Sequence, residues 1–231
     1  MRTVATALFY RCARLVVSLI LLIWTRKQVV GLENVPKRGP VILASNHVSM
    51  LDPGLLPVLV PRRIVYMGKA ELWQTPIIGP LYGLAGFIPV RRFEADLAAI
   101  RKAEKALRQD QVLGMFPEGT RSGKPGLGKG QPGTAMIALR TGAPIVPVGV
   151  AGTEGVTTLP RFFFRLTRVR VVFGKPFALP KTRRLNAELV EQCTERIMKE
   201  IAVLLPEEYR GVYAGLVASQ SKGQAEGIGL I

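Results

Sequence analysis

Cysteine and histidine are scarce in this chain of 231 residues. It has two cysteines, Cys12 and Cys193, which lie far apart in sequence, and a single histidine, His47. Two distant cysteines do not form a disulfide framework, so a reducing compartment is the default expectation. We expect no metal site, because one imidazole and two separate thiols cannot supply the usual zinc ligands. Any chemistry that needs an imidazole has to use His47.

Several common sequence signatures are also missing. The chain contains no nucleophile elbow, no Walker loop and no dinucleotide-binding fingerprint. It has no helix-turn-helix, zinc-finger or aromatic-rich RNA-binding signature either. These absences argue against enzymes with a serine nucleophile on an elbow, nucleotide-dependent enzymes and nucleic-acid readers of the known classes.

Acidic residues are few relative to basic ones. There are 16 Asp+Glu against 32 Lys+Arg, which gives a formal net charge of +16. Such an excess indicates an anionic partner: nucleic acid, a membrane surface or a phosphorylated substrate. Because the basic residues cluster beside apolar ones and no nucleic-acid motif is present, we predict no nucleic-acid partner.

No hydrophobic run is long enough to cross a membrane. The stretch Leu15–Trp24 is half the length of roughly 20 residues that a spanning helix needs. Extending it backwards would bury Arg11 and Arg14 at a cost of about 3 kcal/mol each. No small-residue cleavage site follows, which disfavours a signal peptide. Since no acid precedes Glu33, we interpret residues 1–29 as a peripheral or monotopic anchor on the cytoplasmic face of the cell membrane. The alternative is a helix packed on the domain.

A second basic and aromatic segment spans residues 161–170, where three phenylalanines are flanked by arginines. Its rings could enter a lipid surface while the guanidinium groups stay among the phosphates. Equally, the rings could form a buried cluster beside a strand. The sequence does not separate these two interpretations.

Short apolar runs alternate with helix-like stretches along the rest of the chain. The runs predict strands at 41–44, 64–67, 87–90, 112–116, 145–148 and 169–173. Helical periodicity predicts helices at 94–109, 131–141 and 185–205. This alternation predicts an α/β fold with a mixed central sheet flanked by helices, preceded by the N-terminal membrane-associated helical anchor. We assign residues 30–210 to this domain and residues 211–231 to a flexible tail.

The histidine lies directly after a predicted strand and is followed by Asp52. A carboxylate that orients an imidazole and stabilises its charged form is the pairing used in general-base catalysis. Five residues on an ideal helix would put the two side chains on different faces, so the strand end and helix start must fold around each other. The structural alternative is that Asp52 caps a helix whose first position is Pro53.

Two further segments suit an anionic ligand. Residues 116–122, Phe-Pro-Glu-Gly-Thr-Arg-Ser, place a glycine beside a hydroxyl and an arginine, ahead of a basic glycine-rich stretch. The alternative for Glu118 and Arg121 is a structural ion pair. At the end of another strand, Arg91 and Arg92 are placed for an anion or form a solvated charge pair.

Together and in this order, these segments resemble the lysophosphatidate acyltransferase family, the 1-acyl-sn-glycerol-3-phosphate acyltransferases. The resemblance covers roughly residues 30–175. The Asn-His-x-x-x-x-Asp motif matches Asn46, His47 and Asp52, and the Phe-Pro-Glu-Gly-Thr-Arg-Ser motif is complete at 116–122. The remaining two regions match residues 69–92 in part and the proline-containing strand 145–148. Where many relatives have Asp-Arg, this chain has Arg91-Arg92, which leaves open which arginine faces the ligand.

The resemblance implies that His47 takes the proton from a glycerol hydroxyl while Asp52 orients it, and that the oxygen attacks an acyl thioester directly. It also implies a set of substrate-binding residues on the acceptor's phosphate side: Asn46, Arg91, Arg92, Glu118, Gly119, Thr120 and Arg121. Being anionic, Glu118 is expected to orient Arg121 or a glycerol hydroxyl rather than to touch phosphate.

No bound cofactor is implied, and the donor is acyl-coenzyme A (acyl-CoA) or acyl carrier protein (acyl-ACP). The expected partners are therefore membrane lipids, lysophosphatidate and the donor. Two alternatives stay open: an acyltransferase for glycerol 3-phosphate or another lysophospholipid, and a non-catalytic membrane-binding scaffold. The presence of His47 and Asp52 argues against the scaffold.

Overall fold

A seven-stranded mixed sheet forms the centre of the protein. The computed structural model describes residues 10–19, 23, 25–76, 78–91, 96–122, 124–156, 167–182 and 184–217. Within them the strands are β1 (Thr25–Val30), β2 (Val41–Ser45), β3 (Ile64–Lys69), β4 (Ile88–Val90), β5 (Val112–Met115), β6 (Ile145–Ala151) and β7 (Thr167–Phe173). Their order is β1-β7-β6-β2-β5-β3-β4. Neighbours run parallel except β6 and β7, which are antiparallel.

Helices cover both faces of this sheet. They are α1 (residues 10–19), α2 (Asp52–Leu59), α3 (Ile78–Ala85), α4 (Leu97–Arg108), α5 (Gly133–Thr141) and α6 (Ala187–Leu204). Alternate residues of β2 divide between two core clusters. Ile42 packs with residues of α4, α5 and α6, whereas Leu43 packs with residues of α2. A central strand buried on both faces explains why β2 is continuously apolar rather than alternating.

Local signals explain where the helices begin and end. The side chain of Asp96 accepts the Ala99 N–H (2.9 Å) at the start of α4, and Asn186 accepts the Leu189 N–H (2.7 Å) at the start of α6. Helix α5 stops at Gly142, whose φ of 69° suits a residue without a side chain.

The predicted α/β fold with a mixed sheet is confirmed. All six predicted strands and all three predicted helices are present within a few residues of the expected bounds. Strand β1 was not predicted, because its sequence TRKQVV lacks an apolar run. It lies at the sheet edge and pairs only with β7, so most of its side chains are exposed. The sheet therefore begins inside the segment 1–29 that the sequence assigns to the anchor.

Helix α1 packs on the domain with one face only. The Tyr10 hydroxyl accepts the Ile64 N–H (3.1 Å), Arg14 donates to the Val58 carbonyl (3.2 Å), and Val17 contacts the core. These positions follow the i, i+4, i+7 spacing of one helix face. Among the described residues, no helix is both long and apolar enough to cross a bilayer.

The C-terminal part of the domain extends beyond the predicted boundary at residue 210. Tyr213 and Val217 are buried in the main core cluster, so residues 211–217 are packed rather than loosely held. The rest of the predicted tail, residues 218–231, lies outside the described residues. So do the phenylalanines of the basic segment 161–170, where the described part starts at Thr167 with β7.

Candidate active site

The segment between β2 and α2 folds back so that His47 and Asp52 meet. The Nδ1 atom of His47 lies 2.8 Å from Oδ2 of Asp52, and both residues are buried. The chain turns between the end of β2 and the first residue of α2, which removes the obstacle that a regular helix would present. The two side chains singled out in the sequence are therefore in direct contact.

Four groups donate hydrogen bonds to the Asp52 carboxylate. Its Oδ2 accepts the Val48 and Ser49 amides at 2.8 Å and the His47 ring nitrogen, and its Oδ1 accepts the Thr153 hydroxyl at 2.7 Å. The two amides can only donate, so Oδ2 acts as an acceptor toward them. In the tautomer that donates from Nδ1 to Oδ2, Nε2 of His47 is the ring nitrogen that can accept a proton.

The helix-cap alternative for Asp52 is not what the structure shows. Helix α2 has Leu51 at its cap position without a side-chain capping bond, and Pro53 lies in its first turn. The Asp52 oxygens point instead to amides that precede the helix. The residue thus orders the loop and orients the imidazole.

The His47 ring is supported from below by an aromatic stack. Phe116, the first residue after β5, lies parallel to the imidazole with ring centroids 4.0 Å apart. The Tyr66 ring also stacks with Phe116, with ring centroids 5.6 Å apart. Gly114 permits this arrangement, since a side chain there would meet the Tyr66 ring at 2.3 Å. The stack limits rotation of the imidazole.

Glu118 holds the backbone of the histidine rather than a ligand or an arginine. Its Oε1 accepts the His47 N–H (2.9 Å) and its Oε2 accepts the Gly128 N–H (2.9 Å). Burial raises the pKa of Glu118 above its usual range, and the two amide bonds act in the opposite direction. Glu118 thus bonds two backbone amides and makes no ion pair with Arg121 among the described contacts, and its contact with a glycerol hydroxyl stays a prediction. Ser122 completes the hold by donating its N–H to the His47 carbonyl (3.0 Å).

Asn46 joins the histidine loop to β6. Its side-chain nitrogen donates to the Val150 carbonyl and its oxygen accepts the Val150 N–H, both at 2.8 Å. The Asn46 side chain thus pairs with the backbone of a β6 residue as a neighbouring strand would, and both groups are buried. Asn46 therefore positions the loop, although the resemblance implied contact with substrate.

A cavity of about 400 Å³ opens beside His47 at the carboxyl ends of the parallel strands. Its apolar wall includes Met67, Val90, Ile100, Met115, Phe116, Met136 and Ile137. Polar and backbone groups from Arg91, Gly119 and Thr134 reach the same cavity. The carboxyl edge is the usual ligand position in open α/β sheets, because successive loops converge there.

The other predicted substrate-binding residues divide into three groups. Arg91 lines the cavity, with its Nε 3.8 Å from Oδ2 of Asp96. Arg92 lies outside the described residues. Thr120 and Arg121 are exposed and follow Gly119, which lines the cavity with a left-handed φ of 69°. The structure thus brings Arg91 and Gly119 to the histidine's cavity, and Arg121 lies two residues further along the chain, at the surface.

Two site residues escaped the sequence analysis. Thr153, which donates to Asp52, is 101 positions away in the chain and belongs to no recognisable pattern. Thr134, at the start of α5, lines the cavity with a buried hydroxyl that has no hydrogen-bond partner in the described part of the chain. A threonine after a glycine gives no signal of either role. No group of three or more potential metal ligands occurs among the described residues.

A buried imidazole–carboxylate pair at the carboxyl edge of an α/β sheet, open to an apolar cavity, is the arrangement found in enzymes that use a histidine as general base. Residues 26–151 match a family model described as acyltransferase. The chain belongs to this acyltransferase family.

Individual relatives agree with that assignment. A 1-acyl-sn-glycerol-3-phosphate acyltransferase of Bacillus subtilis is 30% identical over 74% of this chain and 85% of its own length. A chloroplastic enzyme of the same name from Brassica napus is 29% identical over 71% of this chain. The chain spans about half the length, 48%, of that plant relative.

A solved structure shares the fold. The crystal structure of the 1-acyl-sn-glycerophosphate acyltransferase from Thermotoga maritima has a TM-score of 0.64 to this chain at 23% identity. The superposed region covers 85% of this chain and 77% of the Thermotoga maritima chain. The mixed α/β architecture is therefore an established one.

Proposed function

We propose that this protein transfers a fatty acyl group from a thioester to the free hydroxyl of lysophosphatidate, giving phosphatidate for phospholipid biosynthesis. The observation that carries the proposal is the buried His47–Asp52 pair, 2.8 Å apart, at the edge of an apolar cavity. The names of the relatives support this acceptor, and the apolar wall suits a fatty acyl chain.

The reaction needs no covalent enzyme intermediate. Nε2 of His47 takes the proton of the acceptor hydroxyl while its oxygen forms a bond to the thioester carbonyl carbon. Asp52 stabilises the resulting imidazolium. Collapse of the tetrahedral intermediate breaks the carbon–sulfur bond, and the imidazolium returns the proton to the leaving thiolate. The proton taken from the hydroxyl ends on the thiol, so the reaction needs no other reactant than the two substrates and His47.

The lining residues can be assigned to the two substrates according to their charge. Arg91 lies in the cavity wall and Arg121 follows its lining, so we assign the acceptor's phosphate to this basic side. The methionines and aliphatic residues of the cavity wall would contact the acyl chain. The donor is acyl-CoA or acyl-ACP, and both present the same thioester to the base.

We also propose peripheral contact with an anionic membrane surface of the cytoplasmic leaflet. The apolar residues on the unpacked side of α1 are exposed, Leu15 by 61% and Val16 by 55%, as is Ile23 beyond it by 58%. Arg11 is exposed on the same helix. An apolar face with adjacent basic residues is typical of helices that lie in the lipid interface. Such contact would bring the site to its amphiphilic acceptor.

The test is thiol release from oleoyl-CoA, with and without lysophosphatidate, on vesicles of anionic lipid. We expect acceptor-dependent release by the wild type, and a loss of at least about a thousandfold for His47→Ala because the base is removed. The matched variant Gln192→Ala changes an exposed residue of α6, outside the site and outside α1, and should keep full activity. Circular dichroism should show that His47→Ala stays folded.

The assay also decides between acceptors and donors. Glycerol 3-phosphate and a lysophospholipid with a head group are offered next, and acyl-ACP replaces oleoyl-CoA. Preference for one of these acceptors would replace lysophosphatidate in the proposal. No transfer with any pair, together with vesicle binding, would favour the non-catalytic scaffold.

A further inference from the structure

Two separate supports hold the catalytic pair from outside its own loop. Thr153 donates to Asp52 (2.7 Å) from the turn after β6. Glu118 accepts the His47 N–H, and its second oxygen is held by the Gly128 N–H. The two supports come from different loops, so a further contact is needed to hold Thr153 and Glu118 in place relative to each other.

One residue near the C-terminal end of the domain contacts both supports. The carbonyl of Tyr209 accepts the Leu127 N–H (2.9 Å), directly before Gly128. Its hydroxyl accepts the Gly152 N–H (3.1 Å) and donates to the carboxylate of Glu154. Gly152 and Glu154 are the two neighbours of Thr153. The contacts of Tyr209 therefore lie one residue away from each group that holds the catalytic pair.

We propose that Tyr209 is a positioning residue that keeps both His47 and Asp52 in register. This inference rests on the proposed function and deepens it. Through its hydroxyl, Tyr209 fixes the turn that aims Thr153 at Asp52. Through its carbonyl, it fixes the loop whose Gly128 holds Glu118 against His47. It lies outside residues 26–151, the part of the chain that the family model matches.

The surroundings of Tyr209 suit this task. The residue is buried, and burial followed by the hydrogen bond to Glu154 raises the pKa of its phenol, which therefore remains a donor at neutral pH. The chain around it approaches the glycine-rich loop backbone to backbone, since Val212 donates to the Leu127 carbonyl (3.1 Å). A side chain at Gly211 would meet that carbonyl oxygen at 2.2 Å. The contact is a close fit rather than loose packing.

The alternative is that Tyr209 only fills the core. The variant Tyr209→Phe separates the two, because it keeps the ring and removes the hydroxyl. We expect kcat to fall about 5- to 10-fold, the worth of roughly one hydrogen bond, with KM for both substrates unchanged. The matched control is Tyr82→Phe, which makes the same change on α3, where the ring packs against Trp73 and Phe87 outside the cavity lining. It should keep the wild-type kcat.

A double-mutant cycle tests whether the effect passes through Thr153. If it does, Tyr209→Phe should add little to Thr153→Val, so the double variant has nearly the kcat of Thr153→Val alone. Thr153→Ser, which keeps the hydroxyl, should restore most of the rate. Multiplicative effects of the two substitutions would overturn the proposal.

A spectroscopic measurement works even without turnover. Because the chain has a single histidine, the imidazole nitrogens of His47 give one unambiguous pair of signals in ¹⁵N NMR. We expect these signals to move in Tyr209→Phe and Thr153→Val and to stay in place in Tyr82→Phe. Unmoved signals in Tyr209→Phe, with only a lower melting temperature, would assign the residue to core packing. Since no substrate is present, this result is independent of whether lysophosphatidate is the acceptor.

Discussion

Two loops build the candidate active site, and different kinds of residue order them. Residues 46–51 follow β2, residues 116–132 follow β5, and these two strands are parallel neighbours in the sheet. The first loop is short: Asp52 at its end accepts the Val48 and Ser49 amides, and Glu118, Ser122 and Val150 bond it from neighbouring segments. The second is long and rich in glycine, and contacts from other segments hold it.

The two loops differ in whether the residue that orders the backbone also contacts the imidazole. In the short loop the residue that orders the backbone, Asp52, is also the one that orients the base. In the long loop the ordering residue, Glu118, bonds the backbone amides of His47 and Gly128 and not the imidazole, while Leu127 is held by Tyr209 and Val212. Substitutions in the short loop should therefore abolish activity, whereas substitutions in the long loop should lower kcat by smaller amounts.

The largest effect is expected from Asp52→Asn. The amide has one acceptor oxygen where the structure needs two, so the loop amides, the imidazole and Thr153 can no longer all be satisfied. We expect kcat to fall by about 10³-fold or more, as for other buried carboxylates that orient a catalytic histidine. Steady-state kinetics on vesicles measures it. The control Asp110→Asn, the same change in an exposed turn, should leave kcat unchanged. A retained rate would remove Asp52 from the mechanism.

A smaller loss is expected from Glu118→Gln. Glutamine can accept one of the two amides but turns a donor toward the other, so either His47 or Gly128 loses its partner. The expected drop in kcat is about 10- to 100-fold, corresponding to a hydrogen bond to a charged group. Glu191→Gln makes the same change on the exposed face of α6 and should have no effect. If both variants behaved like wild type, the long loop would not support the base.

These two carboxylates also show what the sequence could and could not reveal. The six strands, the α/β class and the meeting of His47 with Asp52 followed from apolar runs and one motif. The role of Glu118 did not, because its partners are backbone amides, which leave no mark on a sequence. Thr153 and Tyr209 were missed for a related reason: their contacts join segments far apart in the chain, where no periodic pattern connects them.

A few-fold loss of rate is expected from Gly119→Ala in the long loop. Gly119 has φ 69°, and a side chain there would lie 3.1 Å from Cγ of Gln131. The left-handed backbone costs an alanine about 1–2 kcal/mol, which should lower the free energy of unfolding measured in urea. Gly39→Ala is the matched control, since its φ is 78° and nothing lies within 4 Å of the added carbon. It should lose similar stability and keep its rate, whereas equal rate losses would show that the strain is not local to the site.

The smallest effect concerns pH and the burial of Glu118. Burial raises its pKa in the folded state above the value in the unfolded chain, near 4.3. A group with a raised folded pKa adds stability that is complete below the unfolded value and is lost as pH rises through the folded one. The free energy of unfolding of the wild type, relative to Glu118→Gln, should therefore decline between about pH 4 and neutral pH. Urea titrations at several pH values measure this difference, and the Glu191→Gln difference should stay flat. A wild-type advantage that grows with pH would mean that the two amides outweigh burial, and that the long loop holds its carboxylate as firmly as the short loop holds Asp52.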